Sequence, residues 1–152
     1  MRGKYKVFIQ NKRIRYEFEI KRNLTILRGD SATGKTALID MVREYFENGT
    51  ASGIDLHCEK ECVVLEGKNW ALQLQTYHDS IVFIDEGNTF LNSTDFASAI
   101  QKTDNYYVIA TRECLAALPY SVDEIYGIRS SGKYGTIKRT YNELFHLYGN
   151  RR

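Results

Sequence analysis

Residues 29–36 read Gly-Asp-Ser-Ala-Thr-Gly-Lys-Thr, and this stretch together with its flanks decides the fold that we expect. It follows the pattern G-x-x-x-x-G-K-[ST], in which the two glycines let the backbone turn tightly, so that successive N–H groups converge on one point. Such a loop cradles phosphate oxygens, with the lysine reaching the β- and γ-phosphates and the hydroxyl ligating Mg²⁺. The expected phosphate-binding residues are Gly29, Asp30, Ser31, Ala32, Thr33, Gly34, Lys35 and Thr36, and Thr36 is also an expected metal ligand.

Both flanks of this loop predict the same local structure. Upstream, residues 24–27 form a short apolar run with β-branched members, which is typical of a buried strand. Downstream, apolar residues recur at helical spacing and Asn48-Gly49 supplies a stop signal. A helix beginning near Lys35 would add the positive end of its dipole to the loop. The residues expected on its inner face are Ala37, Leu38, Met41, Val42, Tyr45 and Phe46.

A second informative stretch is Ile-Val-Phe-Ile-Asp-Glu at residues 81–86. Four consecutive apolar residues suit a central parallel strand that is buried on both faces. The carboxyl end of such a strand is where open α/β sheets bind ligands, so Asp85 is expected to hold Mg²⁺ and Glu86 to lie nearer the γ-phosphate. A strand that simply leaves the core can also end in two acids. The position of this run, after the loop with a helix and a strand between, favours the functional interpretation.

Residues 24–49 and 81–86 resemble the Walker A and Walker B segments of P-loop NTPases. The acid directly after the Walker B aspartate is similar to the catalytic glutamate of the additional-strand division, which contains AAA+, RecA-like and ABC-type ATPases. That division also places a polar residue at the end of the strand beside Walker B, and Thr111 matches that position at the end of residues 106–111. The resemblance covers about residues 5–130 in layout, but only the two Walker segments are specific.

The resemblance implies ATP and Mg²⁺ as cofactors and gives each candidate catalytic residue a role. Lys35 would hold the phosphates, Glu86 would polarise the attacking water, and Thr111 would orient that water. Arg112 would stabilise transition-state charge in its own chain or in a neighbouring subunit, although a solvated charge at the end of a strand is the simpler interpretation of this residue.

Several family motifs are missing from the sequence. No Asn-Lys-x-Asp guanine-reading motif follows the loop, which argues against a GTPase, and no Leu-Ser-Gly-Gly-Gln-like segment is present, which excludes a complete ABC ATPase. A helical lid of AAA+ type does not fit after residue 130. We therefore expect residues 1–152 to form one minimal P-loop nucleotide-binding domain.

The expected fold class is α/β, a three-layer P-loop NTPase sandwich around a mainly parallel sheet, with antiparallel strands at the N-terminus and a C-terminal hairpin. Residues 5–9 and 14–20 predict the N-terminal hairpin, which turns at Asn11-Lys12. Further strands are expected at 54–58, 62–65, 106–110, 122–128 and 134–139; the predicted turn at 130–133 joins the last two. Helices are expected from Ser93 or Thr94 to Thr103, at 113–118 and at 141–148, whereas 69–77 is ambiguous.

Composition restricts the environment and the partners. The net charge of +2 is too small to imply a polyanion, so nucleic acid is a possible but unsupported partner. Three cysteines, no signal peptide and no long apolar run predict a cytoplasmic protein without a membrane partner. Cys58 and Cys62 lack a second pair with which to bind zinc, so we expect them to be buried apolar residues.

Three functions fit these motifs. The first is an ATP-binding, Mg²⁺-dependent ATP hydrolase that acts with a protein partner or by self-association. The second is a small-molecule or nucleotide kinase, in which basic residues of the C-terminal hairpin act as a lid. The third is a non-catalytic nucleotide-dependent switch. The basic residues in question are Arg129, Lys133, Lys138 and Arg139.

Overall fold

The structure, a computed structural model, describes residues 5–28, 35–111, 115, 118, 125–134 and 137–146. Within them the chain has a mixed α/β fold, as the sequence predicted. The strands are β1 (Tyr5–Gln10), β2 (Ile14–Ile20), β3 (Leu24–Arg28), β4 (Asp55–His57), β5 (Cys62–Val64), β6 (Ile81–Ile84), β7 (Tyr106–Thr111), β8 (Ile125–Tyr134) and β9 (Ile137–His146). The helices are α1 (Lys35–Asn48), α2 (Trp70–Gln75) and α3 (Thr94–Ile100), with short 3₁₀ helices at Gly49–Ser52 and Thr89–Asn92.

The strands form one sheet in the order β4-β1-β2-β9-β8-β3-β7-β6-β5. The sheet consists of two blocks joined by one strand. In the first block all strands are parallel, in the order β8, β3, β7, β6 and β5. The second block contains three antiparallel strands, β4, β1 and β2. Strand β9 joins the blocks, because it is antiparallel to β8 and parallel to β2. The mainly parallel centre and the N-terminal antiparallel strands are therefore confirmed.

Local signals in the sequence account for several element boundaries. The β1–β2 hairpin turns where the Asn11 Oδ1 atom accepts hydrogen bonds from the backbone N–H groups of Arg13 and Ile14, both at 2.8 Å. At the start of α3, the Ser93 Oγ atom accepts a hydrogen bond of 3.1 Å from the Phe96 N–H group. This is the N-cap that satisfies one otherwise unpaired donor of a helix.

The parallel strands bury apolar side chains on both faces. In β6, Ile81 and Phe83 belong to a cluster with α1, whereas Val82 and Ile84 belong to a second cluster with α2 and α3. Alternate residues of a strand face opposite sides, so the alternation assigns α1 to one face of the sheet and α2 and α3 to the other. All four β6 residues have no measurable exposure, as expected for a parallel strand with a neighbour on each side, although β6 is second from the end of the sheet rather than at its centre.

The sheet curls around α1. Strands β4 and β5 lie at opposite ends of the strand order, yet residues 58–61 alone connect them. The ring of Tyr5 in β1 also packs edge-on against that of Tyr106 in β7, with 5.2 Å between the ring centres, although four strands separate β1 from β7 in the order. The cluster around α1 accordingly includes residues of both the antiparallel and the parallel block.

Two predictions at the C-terminal end were wrong. Residues 130–133 lie within β8 rather than in a turn, and residues 141–146 continue β9 rather than starting a helix. The aromatic and apolar residues of 141–148 also fit a helical spacing, but β9 pairs with β2 on one side and β8 on the other. Tertiary pairing of this kind overrides weak local propensity. The C-terminal hairpin itself is present, with longer strands than predicted.

Three other predictions need qualification. The predicted α1 face is correct for Leu38, Met41 and Val42, but Phe46 is 40% exposed and Ile39, which was not predicted, is buried. The ambiguous segment 69–77 contains α2. The helix predicted at 113–118 falls mostly outside the described residues. Among the helices that are described, none has the length and apolar character needed to cross a membrane.

Strand β6 is completely buried, so a cavity in it should be costly. Truncation of the fully buried Phe83 to alanine should lower the free energy of unfolding by about 3–5 kcal/mol. Leu72→Ala is the matched control, since Leu72 is 65% exposed and its truncation should change stability by less than about 0.5 kcal/mol. Urea unfolding of both variants measures this; equal stability losses would contradict the burial of β6 in the core.

Candidate functional site

The strand register brings the candidate residues to one edge of the sheet. Ile26 of β3 and Ile84 of β6 are both paired with Ile109 of β7, the strand that lies between them. Beyond this level, β3 ends at Arg28, β7 ends at Thr111, and Asp85 and Glu86 follow β6. The carboxyl ends of these parallel strands together form what is called the carboxyl edge below. Because adjacent strands lie about 4.8 Å apart, β3 and β6 are separated by roughly 10 Å at this edge.

The chain passes from β3 to α1 at this same edge. Residues 29–34 fall outside the described residues, so the structure does not describe the predicted contributions of Gly29, Asp30, Ser31, Ala32, Thr33 and Gly34. Strand β3 ends at Arg28 and α1 begins at Lys35, which leaves six residues to connect strand to helix, as the motif predicted. Lys35 is only 1% exposed, whereas Thr36 is exposed.

A tight turn follows β6 and holds the two acids. The Asp85 Oδ1 atom accepts a hydrogen bond of 2.9 Å from the Glu86 N–H group, and the Asn88 side-chain amide donates to the Asp85 carbonyl oxygen, also at 2.9 Å. Gly87 has a φ of 97°, which side chains other than glycine rarely tolerate. The Asn88 Oδ1 atom also accepts from Gly67 N–H at 3.1 Å, so this turn is tied to the loop after β5.

The Asp85 carboxylate lies in an unfavourable electrostatic environment. Burial raises the pKa of this carboxyl above its ordinary value of 3.8, and the negative charge of Asp40 raises it further. The hydrogen bond from Glu86 N–H and the charge of Arg43 act in the opposite direction but do not offset the rise. A carboxylate in such a site is stabilised when it binds a proton or a cation, because either one removes its uncompensated negative charge.

Asp40 belongs to an ionic network that the sequence analysis missed. It lies one helical turn after Thr36 on α1, and its Oδ1 atom is 2.6 Å from an Arg43 guanidinium nitrogen. Arg43 also donates from Nε and Nη2 to the Glu66 carboxylate at 3.0–3.2 Å, and these contacts raise the pKa of Arg43. The i, i+3 spacing of Asp40 and Arg43 was visible in the sequence, but Glu66 is distant along the chain and gave no such signal.

Glu86 and Thr111 line one cleft on the α3 side of the carboxyl edge. Its volume is about 430 Å³. The remaining lining residues are Gly87, Asn88, Thr89, Leu91, Asn92 and Leu115. The structure therefore brings together two of the predicted catalytic residues, Glu86 and Thr111. Arg112, the third predicted from the same edge, lies outside the described residues.

The C-terminal hairpin extends beyond the same edge. Leu27 of β3 pairs with Tyr126 of β8, after which β3 continues for one residue and β8 continues to Tyr134. Strand β8 therefore continues for seven residues beyond the level at which β3 ends, with shifts in its register against β9 between Ser130 and Tyr134. The backbone positions of Arg129, Lys133, Lys138 and Arg139 lie in this hairpin.

The carboxyl edge predicts an unusual pH dependence of stability. A carboxyl whose pKa is raised on folding stabilises the folded state below its ordinary pKa and loses that contribution as the pH rises through the raised value. Asp85→Asn, which keeps an oxygen to accept from Glu86 N–H, should therefore be more stable than the parent at pH 7 without ligand. Thermal unfolding at pH 7 and near pH 3.5 checks this. The advantage should shrink at the lower pH, and an Asp85→Asn variant less stable at pH 7 would contradict the electrostatic account.

Comparisons with family models, with curated proteins and with solved structures gave no match to this chain. What can be inferred about function therefore depends on the motifs and on the geometry of the carboxyl edge.

Proposed function

We propose that the chain is an ATP-binding protein and a Mg²⁺-dependent ATP hydrolase that acts with a protein partner or as an oligomer. In this proposal the helix–sheet–helix arrangement is a P-loop NTPase sandwich, in which residues 29–36 are the phosphate-binding loop. Residues 81–86 are the acidic strand of the additional-strand division, and β7 is the strand beside it that ends in a polar residue.

The observation that carries this proposal is the register of three parallel strands. The end of β3, Thr111 at the end of β7, and Asp85–Glu86 after β6 lie at one level of the sheet. Carboxyl ends of parallel strands are the usual ligand site of open α/β sheets. A phosphate on the loop after β3 would be separated from the acidic pair by the width of one strand. These acids lie far from the loop in sequence, so their presence at the same edge is not a consequence of the motif itself.

Each residue has a role that its position supports. Lys35, at the first turn of α1, would hold phosphate oxygens together with the N–H groups of the loop. Glu86, whose side chain lines the cleft with Thr111, would accept a proton from water, and the Thr111 hydroxyl would orient that water. Phosphoryl transfer needs positioning and charge neutralisation more than covalent chemistry, which this set of residues is suited to provide.

The residues also fit a magnesium ion by their chemistry. The raised pKa of Asp85 and the neighbouring negative charges of Asp40 and Glu86 indicate a carboxylate that a divalent cation would relieve. Among the described residues no group of three or more His, Cys, Asp or Glu forms a metal cluster. Mg²⁺ does not need one, since it usually takes one or two protein ligands and completes its shell with water and phosphate. Thr36 and Asp85 are the proposed ligands, and Mg²⁺, when bound, neutralises phosphate charge.

Solvent access to the edge supports the dependence on a partner or a second copy. Thr36 is exposed and Glu86 is only half-buried. Exclusion of water strengthens the electrostatic interactions on which phosphoryl transfer relies. A subunit that covered this edge would therefore raise the rate of ATP hydrolysis. Arg112 is the candidate for stabilising transition-state charge, either in its own site or in that of a neighbouring subunit.

The projection of the β8–β9 hairpin favours kinase activity as the second candidate. This hairpin carries four basic residues past the end of β3, on the side where phosphates would lie, and kinases use basic segments to close over phosphates. Release of inorganic phosphate without an added acceptor separates the two activities, because a kinase would be slow until an acceptor is supplied.

The primary experiment is a titration of the protein with ATP, ADP and GTP, each with and without Mg²⁺. The proposal expects ATP to bind more tightly with Mg²⁺ than without it, and GTP to bind more weakly than ATP. Failure of all three nucleotides to bind would overturn the proposal. If ATP binds but is not hydrolysed, even at high protein concentration, the result would instead favour a non-catalytic nucleotide-dependent switch.

Substitution of Lys35 by alanine should weaken ATP binding by about 2–5 kcal/mol, or roughly 30-fold or more in Kd, because it removes a charge-assisted contact to phosphate. Lys102→Ala is the matched control, since Lys102 is exposed and lies just before β7, at the opposite edge of the sheet. Calorimetric titration measures both, and circular dichroism checks that the variants are folded. ATP affinity equal to that of the parent in folded Lys35→Ala would contradict the phosphate-loop assignment.

Substitution of Glu86 by glutamine should keep ATP bound and lower turnover by about 10²-fold or more, because the shape is retained and the proton acceptor is lost. Glu61→Gln, which changes an exposed acid just before β5, should leave turnover unchanged. Steady-state phosphate release and ATP affinity are measured on the same samples. A parallel loss of binding and turnover in Glu86→Gln would show that Glu86 is structural rather than catalytic.

A further inference from the structure

The β4–β5 connection carries two cysteines, Cys58 and Cys62, on either side of one bend. Cys62 begins β5 and is 7% exposed, within the apolar cluster around α1; Cys58 follows β4, is half-buried, and packs against the same cluster. The chain bends at residues 59–60 between them. The Cys62 thiol donates a hydrogen bond of 3.8 Å to the Lys60 carbonyl oxygen, inside the bend that separates the two cysteines, and Cys58 lies close enough for each sulfur to shift the pKa of the other.

The two thiols differ in reactivity. The neighbouring Cys62 thiol lowers the pKa of Cys58 to about 7, despite partial burial and the adjacent charge of Glu59. The neighbouring Cys58 thiol and deep burial raise the pKa of Cys62. The thiolate is the nucleophilic form, and Cys58 is also the more exposed of the two cysteines, so Cys58 is the thiol that reacts first. An accessible thiol of low pKa beside a second thiol is the arrangement of a nucleophilic and a resolving cysteine.

The pair also occupies a special place in the fold. Residues 58–61 join β4 to β5, the two ends of the curled sheet. Lys60, between the cysteines, is held by Asp79 at 2.6 Å and lies over the ring of Tyr5, with its Nζ atom 5.0 Å from the ring centre. The connection is thus anchored to both blocks of the sheet, which keeps the two thiols together.

We propose that Cys58 and Cys62 form an oxidisable thiol pair, in which a hydroperoxide converts the two thiols into a disulfide that links the two ends of the sheet. The Cys58 thiolate attacks a peroxide oxygen, the O–O bond breaks, and hydroxide leaves, so that Cys58 becomes a sulfenic acid. The Cys62 sulfur then attacks the Cys58 sulfur, the S–O bond breaks, and the departing hydroxide takes up the Cys62 proton as water. Two electrons pass from the thiols to the peroxide. With hydrogen peroxide, the first hydroxide takes up the proton that Cys58 released when it ionised, so both oxygens end as water.

The experiment treats the reduced protein, under native conditions, with hydrogen peroxide in slight molar excess. Thiol counting and peptide mapping after alkylation then locate the product. The expected result is the loss of two of the three thiols, with a disulfide within residues 58–62 of one chain. Cys114→Ala, which removes the third cysteine, should form this disulfide at the parent's rate. A disulfide that includes Cys114, or oxidation of Cys114 before Cys58, would overturn the proposal.

Two further variants separate the roles of the pair. Cys62→Ala removes the resolving thiol, so a sulfenic acid should accumulate at Cys58 and be trapped by dimedone. In Cys58→Ala, Cys62 should remain a thiol over the same period. With Cys62 present, alkylation of Cys58 at pH 7 should be roughly threefold faster than for an ordinary thiol, since a larger thiolate fraction outweighs its lower nucleophilicity. Equal oxidation of Cys58 and Cys62 in the two variants would contradict the assignment, and circular dichroism confirms that each variant is folded.

Discussion

The packing of α1 inside the curled sheet is the constraint on which the remaining structure depends. Leu38, Ile39, Met41 and Val42 are buried in a cluster that draws residues from β1 and β2 as well as from β5, β6 and β7. Full burial of a large aliphatic side chain contributes about 1.5–3 kcal/mol, so this helix cannot shift without exposing a large apolar area. Fixing α1 also fixes the position of its first residue, Lys35, which follows the end of β3 by seven positions in the chain.

The charged groups at the carboxyl edge do not stabilise the fold themselves, and the surrounding packed core holds them in place. Asp85 has a raised pKa, Asp40 lies near it, and Gly87 adopts a conformation that few other residues accept. Arg43 connects Asp40 to Glu66 by short hydrogen bonds, but these groups are partly exposed, and exposed pairs contribute little to stability. Their contribution is orientation, since the bidentate Arg43–Glu66 contact holds α1 to the end of β5. Unbalanced charge that persists in a well-packed fold is typical of ligand sites.

The sequence predicted the elements whose signals are local, and the structure confirms them. Residues 24–27 and 81–84 were identifiable as buried strands because four apolar residues in succession suit a parallel sheet, and α1 was identifiable from its spacing and its stop at Asn48-Gly49. Strand β9 was predicted in part as a helix because its identity depends on pairing with β2, which begins over a hundred residues earlier. The link between Arg43 and Glu66 was likewise invisible, since no periodic pattern joins a helix to the end of a distant strand. The sequence did place Asp85, Glu86 and Thr111 at strand ends. Only the observed strand order shows that β7 lies between β3 and β6.

Hydrogen exchange of the intact protein, with and without Mg²⁺ and ATP, tests the central claim most directly, because it locates the ligand without any substitution. The account predicts slower exchange of backbone amides at residues 29–38 and 85–88 when both are added. It predicts no change in the groove between α2 and α3, which includes Trp70, Leu74 and Lys102. Protection confined to that groove, or unchanged exchange at both strand ends with nucleotide in excess, would contradict the claim that the carboxyl edge of the parallel sheet is a nucleotide site.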